Sequence, residues 1–170
     1  MGGINADGRR ELKTVAFVAP GTWQAVIDEV RVLPESASVT LIAAADEESV
    51  GPLGGSLFGR GGRRRGVERE AALSLAQDLV DEARDACPRD AAALVVTGAV
   101  GHAVVRELGD ADLLILARDG DLSNLGPRSL GRHTRFIVDH APCRVLLVWP
   151  VLAPDTDTLP PPPPAPPTHP

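Results

Sequence analysis

Short apolar runs separated by stretches of helical spacing constrain this chain more than any other feature. The runs are Thr14 to Ala19, Ser38 to Ala45, Ala92 to Thr97, Leu113 to Ala117 and Arg144 to Trp149. Continuous apolar runs of this length suit strands covered on both faces, as in a parallel sheet. Between them, Trp23, Val26, Ile27, Val30 and Leu33 recur at helical spacing, with Thr22 placed to cap that helix and Pro34 to stop it. Val67 to Ala86 reads as a long amphipathic helix with Ala71, Leu75, Leu79 and Ala83 on its apolar stripe. Gly101 to Leu108 and Leu130 to His140 supply two further helices. Strands alternating with helices imply βαβ crossovers, hence a parallel sheet with helices on both faces.

The 170 residues suit one domain, predicted over 13–150, with a polar lead-in at 1–12 and a proline-rich, disordered tail at 151–170. The run Pro160 to Pro164 cannot donate backbone hydrogen bonds, so the tail reads as extended polyproline, suited to docking on an aromatic-lined groove of a protein partner. A net charge of −6 and an aromatic content of 3% argue against nucleic acid as a partner. The Arg/Gly segment Arg60 to Gly66 reads as a loop over the sheet's ligand edge rather than as a nucleic-acid arm. MGGINADGRR lacks the apolar core of a signal peptide, and no run approaches the ~20 apolar residues of a membrane helix. A cytoplasmic protein away from membranes is expected. Cys87 and Cys143 match no metal-ligand spacing, and no metal is expected.

The stretch from Leu113 to Trp149 joins a strand, a glycine-containing loop, a helix opening at Gly131 and a final strand. A helix N-terminus above the carboxyl edge of a sheet suits anions, because its amides and dipole point there. Three stretches resemble the universal stress protein family across about Thr14 to Trp149. VAPGT (Val18 to Thr22) is similar to the family's first turn, usually hydrophobic-Asp-Gly-Ser. ADLLILARDG (Ala111 to Gly120) is similar to its fourth strand, usually Ala-Asp-Leu-Ile-Val-Met-Gly. GRHTRFIVDHAPCRVLLV (Gly131 to Val148) is similar to its last helix and strand, usually Gly-Ser-Val-Ser and then His-Ala-Pro-Cys-Pro-Val.

The resemblance implies a five-stranded parallel sheet in the order 3-2-1-4-5, a three-layer sandwich of the adenine-nucleotide alpha-hydrolase type. It also implies a stress-response role and a homodimer paired through the last strand. An edge as apolar as Val145, Leu146, Leu147 and Val148 needs a cover on physical grounds as well.

ATP-binding members of the family carry a Gly-x2-Gly-x9-Gly-Ser/Thr loop. Counting back from Gly131 places Arg118 and Asp121 at the first two glycines and Arg132 at the Ser/Thr position. The spacing survives while the chemistry changes. At an effective dielectric of 20, an Asp carboxylate about 4 Å from a phosphate charge costs roughly 4 kcal/mol. Asp119 adds a second negative charge, whereas Arg118, Arg128 and Arg132 offer bidentate contacts, Gly120 and Gly126 a rearranged loop, and Thr134 a hydroxyl. At the base end Pro20 replaces the family's Asp, Gly21 and Thr22 remain, and Ala44 stands where a Val often lines adenine.

Losses at both ends predict that ATP or AMP binds weakly or not at all and that no cofactor is required. The expected function is a non-catalytic binding or regulatory module with a degraded ATP loop. The alternatives are an adenine-nucleotide binder using arginines and a slow nucleotide hydrolase, for which Asp119, Asp121 or His133 would have to be the base. Ser129, His133 and Asp139 hold the residue types of a hydrolase triad, but their spacing sets them on differing faces of a short helix. His102 and His140 read as surface or capping residues, and Cys143 as packed.

Overall fold

The computed structural model describes residues 11–46 and 61–162. Strands β1 (Leu12–Phe17), β2 (Ala37–Ala45), β3 (Ala92–Thr97), β4 (Leu113–Ala117) and β5 (Arg144–Val148) form one sheet. Its order is β3-β2-β1-β4-β5 and each neighbouring pair is parallel, in agreement with the expected topology. Helices α1 (Trp23–Arg31), α2 (Gly61–Ala86), α3 (Val100–Glu107) and α4 (Arg132–His140) make the crossovers.

Period-two alternation assigns each strand residue to one of two cores. Ala16, Leu41 and Ile115 face the helices α1 and α2, through Val26, Val30, Ala72, Ala76 and Val80. Val15, Ile42, Leu114 and Leu116 face α3 and α4, through Val104, Leu108 and Ile137. The result is a helix–sheet–helix sandwich whose helical layer changes side between β1 and β4. At that reversal the loops after neighbouring strands part and leave a crevice.

Three local expectations are corrected. Thr22 does not cap α1 with its side chain; its Oγ1 donates to the Ala19 carbonyl at 3.3 Å instead, because its own backbone is not in the extended capping conformation. The long helix begins at Gly61, six residues before the expected Val67, so residues 61–66 are helix rather than loop. Arginine is a strong helix former, and the run Arg63 to Arg65 extends the helix that the apolar positions further on require. Arg60, the first residue of that expected loop, lies outside the described residues. The stripe on α2 is also shifted over part of its length: Ala83 is buried as expected, but Ala72, Ala76 and Val80 are buried beside it while the expected Leu75 is 64% exposed.

The C-terminal segment departs from a free extended tail over part of its length. Residues Thr156–Thr158 form a 3-10 turn capped by the Asp155 side chain, and Thr158 Oγ1 accepts a hydrogen bond from Leu125 N at 3.0 Å. Polar residues between the prolines supply these bonds, which a proline-based reading overlooks. The remaining residues, 163–170, lie outside those described.

Candidate functional site

A cavity of about 360 Å³ fills the crevice at the carboxyl ends of β1 and β2. Its lining runs from Phe17 through Val18 and Ala19 to Pro20 on one side, with Ala44 and Asp46 at the end of β2. Ala72, Leu75, Ala76 and Leu79 of α2 close it from above. Asp119, after β4, and His133, in the first turn of α4, complete the wall. Among the described residues it is an apolar chamber with its polar groups gathered at one end. A groove of about 530 Å³ adjoins it, sharing Asp46, Val100 and His133, and adds Gly101, His102, Arg132 and Phe136.

The loop from Arg118 to Gly131 borders that polar end through Asp119. Its backbone folds on itself: Gly120 N donates to Ser129 O at 3.0 Å and Asp121 N to Arg128 O at 2.9 Å. Gly120 permits this crossing, since a Cβ there would lie 2.3 Å from the Arg128 carbonyl oxygen. Gly126 turns at φ +130°, a conformation that side chains disfavour. Ser129 is fully buried, donates its Oγ to Gly126 O at 2.7 Å and accepts from the Arg118 guanidinium. Arg118 also stacks over Trp149, 4.6 Å from the ring centre. It is thus committed to holding the loop on β5.

Asp119 makes the contact of most consequence. Its Oδ1 accepts from Gly131 N at 2.8 Å, so a carboxylate sits on the residue that opens α4. A Cβ at Gly131 would come within 2.9 Å of both carboxylate oxygens, and glycine is what lets them approach. The chain thus supplies its own anion where the helix dipole favours one.

The other residues singled out in the sequence distribute unevenly. Pro20 and Ala44 do line the cavity. Gly21 forms the turn after β1 at φ +75°. Asp121 turns to Ser123, accepting from its amide at 3.0 Å and its hydroxyl at 2.5 Å, and these bonds hold its carboxyl below the usual range. Thr134 is buried in the first turn of α4, at 1% exposure. Arg132 lines the adjoining groove and donates from Nε to His133 Nε2 at 3.1 Å, while His133 Nε2 stands 3.8 Å from Asp46 Oδ2.

Ser129, His133 and Asp139 do not form a triad: Ser129 is bonded within its loop, His133 faces Asp46 and Arg132, and Asp139 is exposed near the far end of α4. His140 and His102 flank Phe136, with ring centres 4.1 and 4.4 Å away. Cys143 is half-buried, and burial pushes its thiol pKa up. Among the described residues no cluster of three or more His, Cys, Asp or Glu could hold a metal ion, and no helix is long and apolar enough to cross a membrane.

Sequence reasoning missed Asp46 as a wall of the site and missed the capping role of Asp119. A carboxylate just after an apolar strand, directly so at Ala45-Asp46 and one residue removed at Ala117-Arg118-Asp119, is the signal that was available.

Val145, Leu146 and Leu147 are half-buried and Val148 is buried, on an edge strand whose one neighbour among the described residues is β4.

The chain matches no protein-family model and no curated protein. Its fold is that of solved universal stress proteins. It superposes on the universal stress protein UspA from Lactobacillus plantarum with a TM-score of 0.59 and 17% identity, covering 82% of this chain and 99% of that one. A universal stress protein in complex with cAMP aligns at a TM-score of 0.50 and 21% identity, covering 83% and 98%.

Proposed function

We propose that this chain is a universal-stress-type binding and regulatory module whose nucleotide site has lost its affinity for ATP. The Asp119 carboxylate on the Gly131 amide carries the reading. It puts a negative charge beside the N-terminus of α4, where an incoming phosphate would otherwise be welcomed. The loop amides of Gly120 and Asp121 are bonded within the chain, and Arg118 is held by Ser129 and Trp149. These residues do not fit a triphosphate.

Support for a small-molecule role remains in the cavity itself, which is largely apolar and lies at the strand-order reversal, where sheets of this type bind ligands. The cAMP complex of a protein sharing the fold favours a second reading, an adenylate binder that uses the exposed Arg128 and Arg132. We further propose that the protein acts in the cytoplasm as a homodimer paired through β5 and without catalysis, its output passing to a partner in a stress response.

Isothermal titration of the full chain with ATP separates the two readings. Binding weaker than about 10 μM, or none, is expected of a site so charged, and a submicromolar dissociation constant refutes the first reading. ATP turnover with Mg²⁺ would instead show an enzyme.

A further inference from the structure

The cavity has a composition that says which ligands it prefers. Among the described residues its walls are apolar except for two carboxylates, Asp46 and Asp119, and the imidazole of His133. Asp119 is locked in place: its Oδ1 is bonded to Gly131 N, and the adjoining Gly120 is pinned through its amide to Ser129 O. An anion reaching that end must displace a carboxylate already bonded to the helix or lie against it. A neutral molecule or an amine incurs no such repulsion, and its N–H or O–H groups find acceptors.

We propose that Asp119 is the specificity-determining residue of this cavity. By acting as a built-in anion at the start of α4, it turns away phosphorylated ligands and reserves the chamber for a small apolar molecule without negative charge, presenting a hydroxyl or amine to the carboxylate end. This deepens the functional reading above and rests on it.

Adenosine and AMP serve as probes because they differ only in the phosphate. Binding of each to the full-length chain is measured by titration calorimetry for the parent, Asp119→Asn, Asp119→Gly and Asp139→Asn. The last removes an equal charge near the opposite end of α4. The parent binds adenosine at least about tenfold tighter than AMP, a difference of 1.4 kcal/mol. Asp119→Gly strengthens AMP binding by at least about tenfold, since it removes both the charge and the group covering the Gly131 amide. Asp119→Asn keeps an oxygen for that amide and gives a smaller gain in the same direction, so it carries the test if the glycine variant fails to fold. Asp139→Asn leaves the ratio unchanged.

An AMP-to-adenosine ratio equal in the parent and both Asp119 variants overturns the proposal, and so does an absence of AMP binding in a folded Asp119→Gly. Either result, with ATP still weak in the parent, leaves the regulatory-module reading standing. Submicromolar ATP binding by the parent removes both.

Discussion

Glycine positions show how tightly the site loop is built. At Gly120 an added Cβ would meet the Arg128 carbonyl oxygen at 2.3 Å and the Ser129 and Leu130 carbonyl carbons within 2.9 Å. Backbone cannot step aside there without breaking the Gly120–Ser129 and Asp121–Arg128 bonds, so Gly120→Ala is expected to cost about 3 kcal/mol. At Gly101 the obstacle is a side chain, Phe136, whose Cδ1, Cγ and Cβ would stand 2.6, 3.1 and 3.3 Å from the added Cβ and whose ring is flanked by His102 and His140, so α4 has to give slightly and Gly101→Ala should cost about 1–2 kcal/mol, less than Gly120→Ala. Denaturant midpoints of the two variants check the ranking, and equal midpoints would refute it. The same loop gives a pH prediction. Asp121 owes its lowered pKa first to the Ser123 hydroxyl, then to the Ser123 amide. A depressed folded-state pKa contributes stability above the ordinary carboxylate value, and this is lost as pH falls through the folded value. Because Asp121 is fully exposed, the readout is its own titration rather than a melting curve. In Ser123→Ala the Asp121 carboxyl, followed by NMR, should titrate closer to the ordinary value.

Elements were legible in the sequence wherever one physical rule acted alone. The strands announced themselves as apolar runs, and the helical crossovers between them left the parallel sheet as the consistent answer. The α2 stripe departed where two rules competed. On α2, both Leu75 and Ala76 fit a helical stripe, and hydrophobicity favoured the leucine; packing against β2 chose the smaller Ala72 and Ala76, which let the helix approach the sheet. The site was half legible. Pro20 and Ala44 follow from the family resemblance at the first turn and the second strand, whereas the capping by Asp119 depends on a contact spanning twelve residues of irregular loop, for which no sequence period exists. The C-terminal segment falls in the same class, because its attachment rests on one hydroxyl. Thr158→Ala should therefore speed hydrogen exchange at the Leu125 amide and its loop neighbours, by the ~1 kcal/mol of a single hydrogen bond, while the melting temperature holds. Unchanged exchange at Leu125 would show that the segment does not bear on the loop.

The whole molecule presents two sheet edges of different character. β3 ends the sheet on one side with an alternating exposed and half-buried pattern. β5 ends it on the other with Val145, Leu146 and Leu147, apolar and half-buried. Since Arg144 N donates to Asp112 O and Val148 O accepts from Arg118 N, residues 144, 146 and 148 direct their backbone groups to β4. Alternation then turns the amides of Val145 and Leu147 outward, where a second chain can bond them. This argues for a dimer whose pairing is carried by main-chain bonds, and it identifies a variant that removes the pairing and spares the sheet. Proline is tolerated on an edge strand where its missing N–H faces outward, and it is close to valine in size. The parent chain should scatter light as a two-chain particle at micromolar concentration. Val145→Pro should scatter as one chain, with its far-ultraviolet circular dichroism unchanged. A parent that is monomeric throughout that range contradicts the dimer. A Val145→Pro variant that stays dimeric places the contact elsewhere, with α2, where Val67 and Leu75 are exposed, as the next surface to substitute.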